Sequence, residues 1–280
     1  MGFGTAVLRA AIRRYLTGLA RRLLPVVPPT VPHGLTERLY VSVASYPPRF
    51  ATLDLTLKCL LSQSVAPDGV LLWIPPGTEG SLPAAVTTLR RAGLTIREAP
   101  QDCGPFNKIV HTLPRYPDAT IVTADDDVSY PRDWLEGLVR AHAANPRAVL
   151  AYRAHRIAWN ADGTIAPYDT WTPAGEGDDH VLATGVGGIL YPPHSLHADT
   201  TDAAVFMKLC PTADDLWLCW MAYRNGTPVR KIAGYRRPTT WTGSQTVALN
   251  QTNVIGGQND VVVRALVEAF GDLPPVPRHT

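Results

Sequence analysis

Asp125, Asp126 and Asp127 stand in a row directly after the apolar run 119–124, Ala-Thr-Ile-Val-Thr-Ala. That run reads as a buried strand, so three carboxylates meet at its C-terminal end. Like charges this close repel one another, and in an open α/β sheet ligands bind just outside the carboxyl ends of the strands. A divalent cation carrying a phosphate group would relieve the repulsion and use the position. A solvated acidic turn is the plainer alternative, because Asp is common ahead of turns such as Tyr130-Pro131. Lys108 closes the segment 102–108, Asp-Cys-Gly-Pro-Phe-Asn-Lys, upstream of the acidic run. As a point charge it would neutralise phosphate; otherwise it is an exposed helix lysine. A second acidic pair, Asp214-Asp215, opens an aromatic stretch within 210–220. Thr212 with Asp215 three residues later approximates a capping box, which accounts for one acid and not for two adjacent ones.

The elements that must position these groups alternate. Segment 38–44 is apolar and β-branched and ends at Ser45-Tyr46-Pro47-Pro48, so it reads as a first strand and loop. Leu53, Leu57, Leu60 and Leu61 have helical spacing, closing near Gln63-Ser64, and 69–74 is a second strand stopped by Pro75-Pro76. A helix over 82–93, a short strand over 94–97 and a helix over 106–113 lead to the strand 119–124. A helix over 134–144 and one strand over 148–157 follow. This alternation implies βαβ units and a mostly parallel sheet. Beyond Tyr168 it lapses into loops and a few helices.

The hydrophobic share of 45% and charged share of 18% belong to an ordinary soluble domain. Five arginines and no acid precede Glu37, which leaves 21 basic against 24 acidic residues in the body. The basicity therefore sits in an arm, and no basic stripe points to nucleic acid. In that arm, 5–24 carries an apolar stripe at helical steps with arginines mostly elsewhere on the wheel. Charges interrupt any bilayer-spanning stretch and no signal-peptide core is evident. A basic amphipathic helix suits an anionic membrane surface. A helix packed on the protein's own core, a partner, or an organelle transit peptide are the alternatives. The run 25–32, rich in proline, reads as a stiff linker. Cys59, Cys103, Cys210 and Cys219 show no metal-ligand spacing and read as reduced thiols, which favours the cytosol.

Taken in order, Val41-Ser-Val-Ala-Ser-Tyr46, the helix ending in Gln63-Ser64, the strand 69–74 and the acidic run resemble the donor half of a GT-A glycosyltransferase, close to the family-2-like group. The resemblance covers roughly residues 38–225. It implies an α/β, Rossmann-like, mostly parallel sheet flanked by helices. After an arm and linker (1–36), one domain (37–280) would comprise a nucleotide-sugar half (37–147) and a smaller acceptor-binding half (148–280). Ser45, Tyr46 and Arg49 would then belong to the loop that holds the nucleotide, and Asp125-Asp126-Asp127 to the DxD motif. Many members carry an Asp where Thr123 stands. If the chain stays extended, Asp125 and Asp127 point the same way, one binding Mn²⁺ or Mg²⁺ and the other the metal or the donor ribose. Asp126 joins only if the chain turns. Zn²⁺ does not fit the ligand set.

By the same resemblance, Asp214-Asp215 matches the family's Glu-Asp pair, which makes Asp215 the base for an inverting transfer and Asp214 its companion. In the segment 184–191, Thr-Gly-Val-Gly-Gly-Ile-Leu-Tyr, Gly187 and Gly188 would let backbone approach a sugar, unless the segment is simply a tight turn. Tyr168, Trp171, Trp217 and Trp220 are candidates to stack on a sugar, with core packing the better account of Trp220. His155, His180, His194 and His197 are candidate third metal ligands, and 250–260 suits a lid. The implied donor is a nucleotide sugar, UDP-linked by preference, and the acceptor a glycan or lipid-linked saccharide at the cytosolic membrane face. A sugar nucleotidyltransferase and a noncatalytic nucleotide- or glycan-binding protein on the same fold are the rival readings.

Overall fold

A computed structural model describes residues 12, 16, 18, 19, 23, 25–178, 181–236, 239–244 and 257–273. Seven strands form the main sheet: β1 (Leu39–Ala44), β2 (Gly69–Ile74), β3 (Leu94–Glu98), β4 (Thr120–Ala124), β5 (Val149–Ala151), β6 (Ile189–Tyr191) and β7 (Val229–Lys231). Their order is β7-β5-β6-β4-β1-β2-β3. β6 runs antiparallel to β4 and β5, and every other pairing is parallel. The α/β, mostly parallel expectation is met.

Alternation along the strands decides which face each residue feeds. Leu39, Val41 and Val43 of β1, with Val122 of β4, join one core with Leu53, Leu57 and Leu60 of α1 (Phe50–Leu60). Tyr40 and Ile121 point the other way, into a second core with Phe106, Trp217 and Trp220. Being covered on both faces, central strands can be buried throughout, as β4 is.

Strands β2 and β3 lie to one side of β1 and β4 to the other, so the strand order reverses between β1 and β4. Such a reversal opens a crevice at the C-terminal strand ends. The loop after β1 carries Ser45, Tyr46 and Arg49, and the loop after β4 carries the three aspartates. The topology therefore delivers both segments to one place.

Several expected elements are more broken than their periodicity implied. The helix over 82–93 divides into α2 (Ala84–Thr87) and a 3-10 turn (Thr88–Ala92), ended by Gly93 at φ 97. The helix over 106–113 reduces to α3 (Asn107–Val110) between 3-10 turns that contain Pro105 and Pro114; proline lacks the N–H that an α-helix needs. By contrast α4 (Trp134–Ala144) matches its expected bounds. The strand expected over 148–157 is two. It leaves the main sheet after Ala151, turns at Tyr152-Arg153, and resumes as Ala154–Arg156 in a three-stranded antiparallel sheet with Thr172–Pro173 and Val181–Ala183. The corner is fixed by Tyr152 Oη donating to Trp134 O at 2.9 Å and by Thr184 N donating to Arg153 O at 3.0 Å. The remaining helices are α5 (Ala203–Leu209), α6 (Asp214–Arg224) and α7 (Gln258–Phe270).

Most of the N-terminal arm, and 250–256 of the expected lid, lie outside the described residues. Within the arm Ile12, Leu16, Gly18, Leu19 and Leu23 are helical, and the four apolar side chains are exposed. The proline run docks on the body: Val31–Pro32 pairs with Val65–Ala66, and Val27 N donates to Ser62 Oγ at 3.1 Å. No described helix is long and apolar enough to cross a membrane.

Gln63 stitches this framework together. It is fully buried; its amide donates to Cys59 O (2.9 Å) and Pro131 O (3.1 Å) and accepts from Leu135 N (2.9 Å). It thereby ties the end of α1 to the start of α4, just beyond the acidic loop. Replacing Gln63 by Leu leaves those backbone groups buried without partners, so urea denaturation should show a loss of about 2–4 kcal/mol.

Candidate active site

A cleft of about 620 Å³ opens at the strand reversal, lined by the Ser45–Arg49 loop, the Asp125–Asp127 turn, Lys108 and the first turn of α6. The extended geometry expected of the acidic run is not what forms. After Asp125 the chain turns at Asp126 and Asp127 before the short strand Val128–Ser129, so period-two alternation ends with β4. Asp125 faces Lys108 (Oδ1–Nζ 3.2 Å). Asp126 and Asp127 face the opening loop: Ser45 Oγ donates to Asp126 at 2.6 Å, and Arg49 Nη1 donates to Asp126 at 3.1 Å and to Asp127 at 2.6 Å. Burial pushes the Asp126 carboxyl up, against the pull of Arg49 and the Ser45 hydroxyl. Asp125 N donates to Tyr130 Oη at 2.8 Å, which sets the turn against α4.

On the opposite wall the helix α6 begins at Asp214. Its N-cap is Ala213, without a capping side chain, so the capping-box alternative does not form. Asp215 instead reaches across the cleft floor and accepts from Gly185 N with both oxygens, at 3.1 and 3.0 Å. Lys108 Nζ lies 3.0 Å from Asp214 Oδ2. One buried ammonium thus bridges the acidic turn and the second acidic pair. Burial opposes the Lys108 charge, but Asp214, Asp125 and Asp215 together hold its pKa well above the ordinary lysine value. Burial first, then the neighbouring Asp214, push the Asp215 carboxyl above the usual range; Lys108 and the Gly185 N–H act the other way. A raised carboxyl in a cleft is poised to exchange a proton near neutral pH.

Of the residues singled out in the sequence, Ser45, Tyr46, Arg49, Lys108, Asp125, Asp126, Asp127, Asp214 and Asp215 all line this cleft. Gly187 and Gly188 lie away from it, behind Trp134. Trp134 Nε1 donates to Gly187 O at 2.8 Å, and a Cβ on Gly188 would come 2.4 Å from the Trp134 ring. Those glycines answer to packing, and Gly185 is the one in the cleft. Tyr168 also lines it, whereas Trp171, Trp217 and Trp220 are buried in the core. Asn259 of α7 joins the lining, and Asp260 accepts from Tyr168 N at 2.7 Å. His155, His194 and His197 are not among the lining residues, and His180 lies outside the described ones.

Gly185 and Arg153 are among the lining residues that escaped the sequence reading. Gly185 sat in the glycine segment, where nothing distinguishes one glycine from the next. Arg153 sat inside an apparent strand, where its charge was the only signal.

Among the described residues no three His, Cys, Asp or Glu side chains converge into a closed metal cage. The donor set is all oxygen and supplied by few carboxylates, which suits a hard divalent cation that brings phosphate and water oxygens with it. The carboxylates that could hold such an ion are those of the acidic turn, Asp125, Asp126 and Asp127, which line the cleft.

No protein-family model matches the sequence, and no curated protein matches it either. Solved structures do resemble the chain. The mannosyltransferase PcManGT from Pyrobaculum calidifontis, in complex with GDP-Man and Mn²⁺, aligns at a TM-score of 0.52 and 16% identity, covering 97% of this chain and 75% of that one. The structure of GalNAc-T7 with UDP, GalNAc and Mn²⁺ aligns at 0.50 and 10% identity, covering 83% of this chain and 48% of the other, so the chain spans about half of that protein. The fold is that of the GT-A glycosyltransferases.

The bridge made by Lys108 is open to test on stability alone. Lys108→Met leaves buried carboxylates without their cation, at a cost of about 3–5 kcal/mol in urea denaturation. The deficit should be larger at pH 8 than at pH 5, because protonation of the raised Asp215 carboxyl removes charge that the variant cannot balance.

Proposed function

We propose that the chain is a metal-dependent, inverting glycosyltransferase. It would move a sugar from a nucleotide sugar, UDP-linked by preference, to a glycan or lipid-linked saccharide in cell-surface polysaccharide synthesis. The observation that carries this reading is Asp215: a carboxyl with a raised pKa, held by Gly185 N–H in the same cleft as the acidic turn of a GT-A fold. Two proteins of this fold were solved with Mn²⁺ and a nucleotide or nucleotide sugar.

In this mechanism the Asp215 carboxylate accepts the proton of the acceptor hydroxyl as that oxygen bonds to the anomeric carbon. The bond to the donor diphosphate breaks at the same carbon, from the opposite face, and the diphosphate leaves with the electron pair. A bound Mn²⁺ or Mg²⁺, held by Asp125 and Asp127, would supply electrostatic stabilisation of that leaving group. Ser45, Tyr46 and Arg49 bind the nucleotide, and Asp126, fixed by Ser45 and Arg49, shapes its pocket. Lys108 holds Asp125 and Asp214, so that the donor and acceptor walls keep their spacing. Burial makes Asp215 a stronger base than an exposed carboxylate, while the N-terminus of α6 keeps its ionised form accessible.

The support for membrane attachment is the stripe Ile12, Leu16, Leu19 and Leu23, four exposed apolar side chains at helical spacing beside an arginine-rich stretch. The opposite side of that helix meets the body, since a Cβ on Gly18 would lie 3.8 Å from Leu55 Cδ1. Such an arm would hold the enzyme on the anionic cytosolic leaflet beside a lipid-linked acceptor. Flotation with vesicles containing phosphatidylglycerol should carry the wild type and leave Leu16→Glu/Leu23→Glu behind; equal flotation of both removes the stripe from the account.

For the chemistry, thermal stabilisation by UDP, GDP, CMP and dTDP with Mn²⁺ or with EDTA should show a metal-dependent shift for one nucleotide. Asp125→Asn should lose it. Asp215→Asn should keep the shift yet lose transfer by about 10²–10⁴-fold. Wild-type transfer should climb with pH through a value well above the ordinary carboxylate figure of about 4. A protein that shifts with no nucleotide, or an Asp215→Asn variant with full turnover, defeats this reading.

A further inference from the structure

Three cationic side chains line the cleft among the described residues: Arg49, Lys108 and Arg153. Arg49 pairs with Asp126 and Asp127, and Lys108 with Asp125 and Asp214. Arg153 differs, because its partners among the described residues are not carboxylates. Its Nη1 donates to Thr184 Oγ1 at 2.9 Å, and its Nη2 lies 3.4 Å from His155 Nε2. Both partners are uncharged near neutral pH: burial, with Arg153 itself, holds the His155 imidazole down to about 4.

The position is built rather than incidental. Arg153 sits at the corner where the chain leaves the main sheet, and its carbonyl accepts from Thr184 N at 3.0 Å. A Cβ on Gly187 would come 3.2 Å from Arg153 N, so the backbone there is closely packed. Thr184 immediately precedes Gly185, whose N–H holds Asp215. Tyr168, on the same wall, lies within electrostatic reach of both Asp215 and Arg153. The guanidinium is therefore anchored on Thr184, the residue before the glycine whose N–H holds Asp215.

A half-buried guanidinium has lost part of its hydration, and neutral partners recover only part of that loss. Its planar fork matches a carboxylate or phosphate with two parallel hydrogen bonds. The diphosphate of a donor would lie at the other wall, by the acidic turn. We propose that Arg153, backed by Thr184, is an anion subsite on the acceptor side of the cleft. The acceptor is then a saccharide that carries a carboxylate or phosphate close to the hydroxyl that receives the sugar. This rests on the transferase reading above, and it names the substrate class for that site.

The test uses acceptors matched in all but charge: methyl glucuronide against methyl glucoside, and glucose 6-phosphate against glucose. Each is offered to the full-length protein with the nucleotide sugar identified by the nucleotide screen. The readout is the ratio of kcat/KM for the charged and uncharged member within each variant, so a general change in activity cancels. The wild-type ratio should be about ten or more for one pair, as expected of a charge-assisted hydrogen bond. The pair that shows it separates carboxylate from phosphate. Arg153→Gln should bring that ratio close to one, and Arg153→Lys should restore part of it, with circular dichroism confirming the fold of each. A wild-type ratio near one, or an equal ratio in Arg153→Gln, overturns the proposal while leaving the transferase reading intact. A raised KM for the donor with the acceptor ratio unchanged overturns it as well, by moving Arg153 to the donor. Should the wild type turn over no donor, the transferase reading falls by itself. Calorimetric titration of the same pairs then decides: binding of the charged sugar that is lost in Arg153→Gln upholds the anion subsite, and its absence ends it.

Discussion

Everything in the cleft depends on neutralising carboxylates that the fold forces together. Asp125, Asp126, Asp127, Asp214 and Asp215 line one cavity, and so much like charge at partial burial would drive some of them to the protonated state. Two cations oppose that, and each spans separate elements. Arg49 joins the loop after β1 to the turn after β4. Lys108 joins that turn to α6, linking Asp125 to Asp214 from a third element, α3. A buried charged network of this kind is weak evidence for stability, because desolvation offsets most of the attraction. What it supplies is geometry: neither wall can shift without separating a buried charge from its partner.

The same balance sets the character of Asp215. Burial and Asp214 raise its pKa, whereas Lys108 and the Gly185 N–H, shared between both carboxylate oxygens, lower it. Had burial acted alone, the group would stay protonated at neutral pH and could accept nothing. Had the cation dominated, it would be ionised but too weak a base. The opposing contributions leave it between those limits, which is where proton transfer to a carboxylate works best. Asp126, a residue of the acidic run itself, is instead locked by Ser45 and Arg49. Two buried aspartates in one cleft thus acquire different tasks from their partners.

How far this was legible in the sequence follows from the range of the interactions concerned. Strand β4 with its acidic end, the helix α4 and the apolar β1 were readable because their patterns are local and unbroken. The mostly parallel sheet followed from their alternation, and with it the meeting of the β1 and β4 loops. What failed was continuation. The strand over 148–157 looked single because its residues stay largely apolar across Tyr152-Arg153, yet Ala151 and Ala154 take different sheet partners. The acidic run looked extended because nothing in three aspartates announces a turn; Arg49 and Ser45, some eighty residues earlier, hold it turned. Likewise Gly187 and Gly188 were indistinguishable from Gly185 until Trp134 was in place behind them.

Gly185 shows why that last distinction matters. A Cβ built on it would stand 3.3 Å from an Asp125 oxygen, 3.3 Å from an Asp215 oxygen and 3.5 Å from Lys108 Nζ. These three groups come from the turn after β4, from α6 and from α3, so the missing side chain is the space in which the two walls meet. A side chain there would press by a few tenths of an ångström on charges whose mutual distance sets both the lysine bridge and the pKa of Asp215. Its backbone N–H is equally constrained, because it must face Asp215 while the chain turns from the corner strand Val181–Ala183 towards β6. The turn at Gly185–Gly187 is therefore shaped from two sides. Trp134 fills the space behind Gly188 and fixes the path, and the carboxylates in front crowd any side chain at Gly185. The main sheet's single antiparallel strand, which this turn feeds, is in that sense the element that brings the wall carrying Asp215 to the acidic turn.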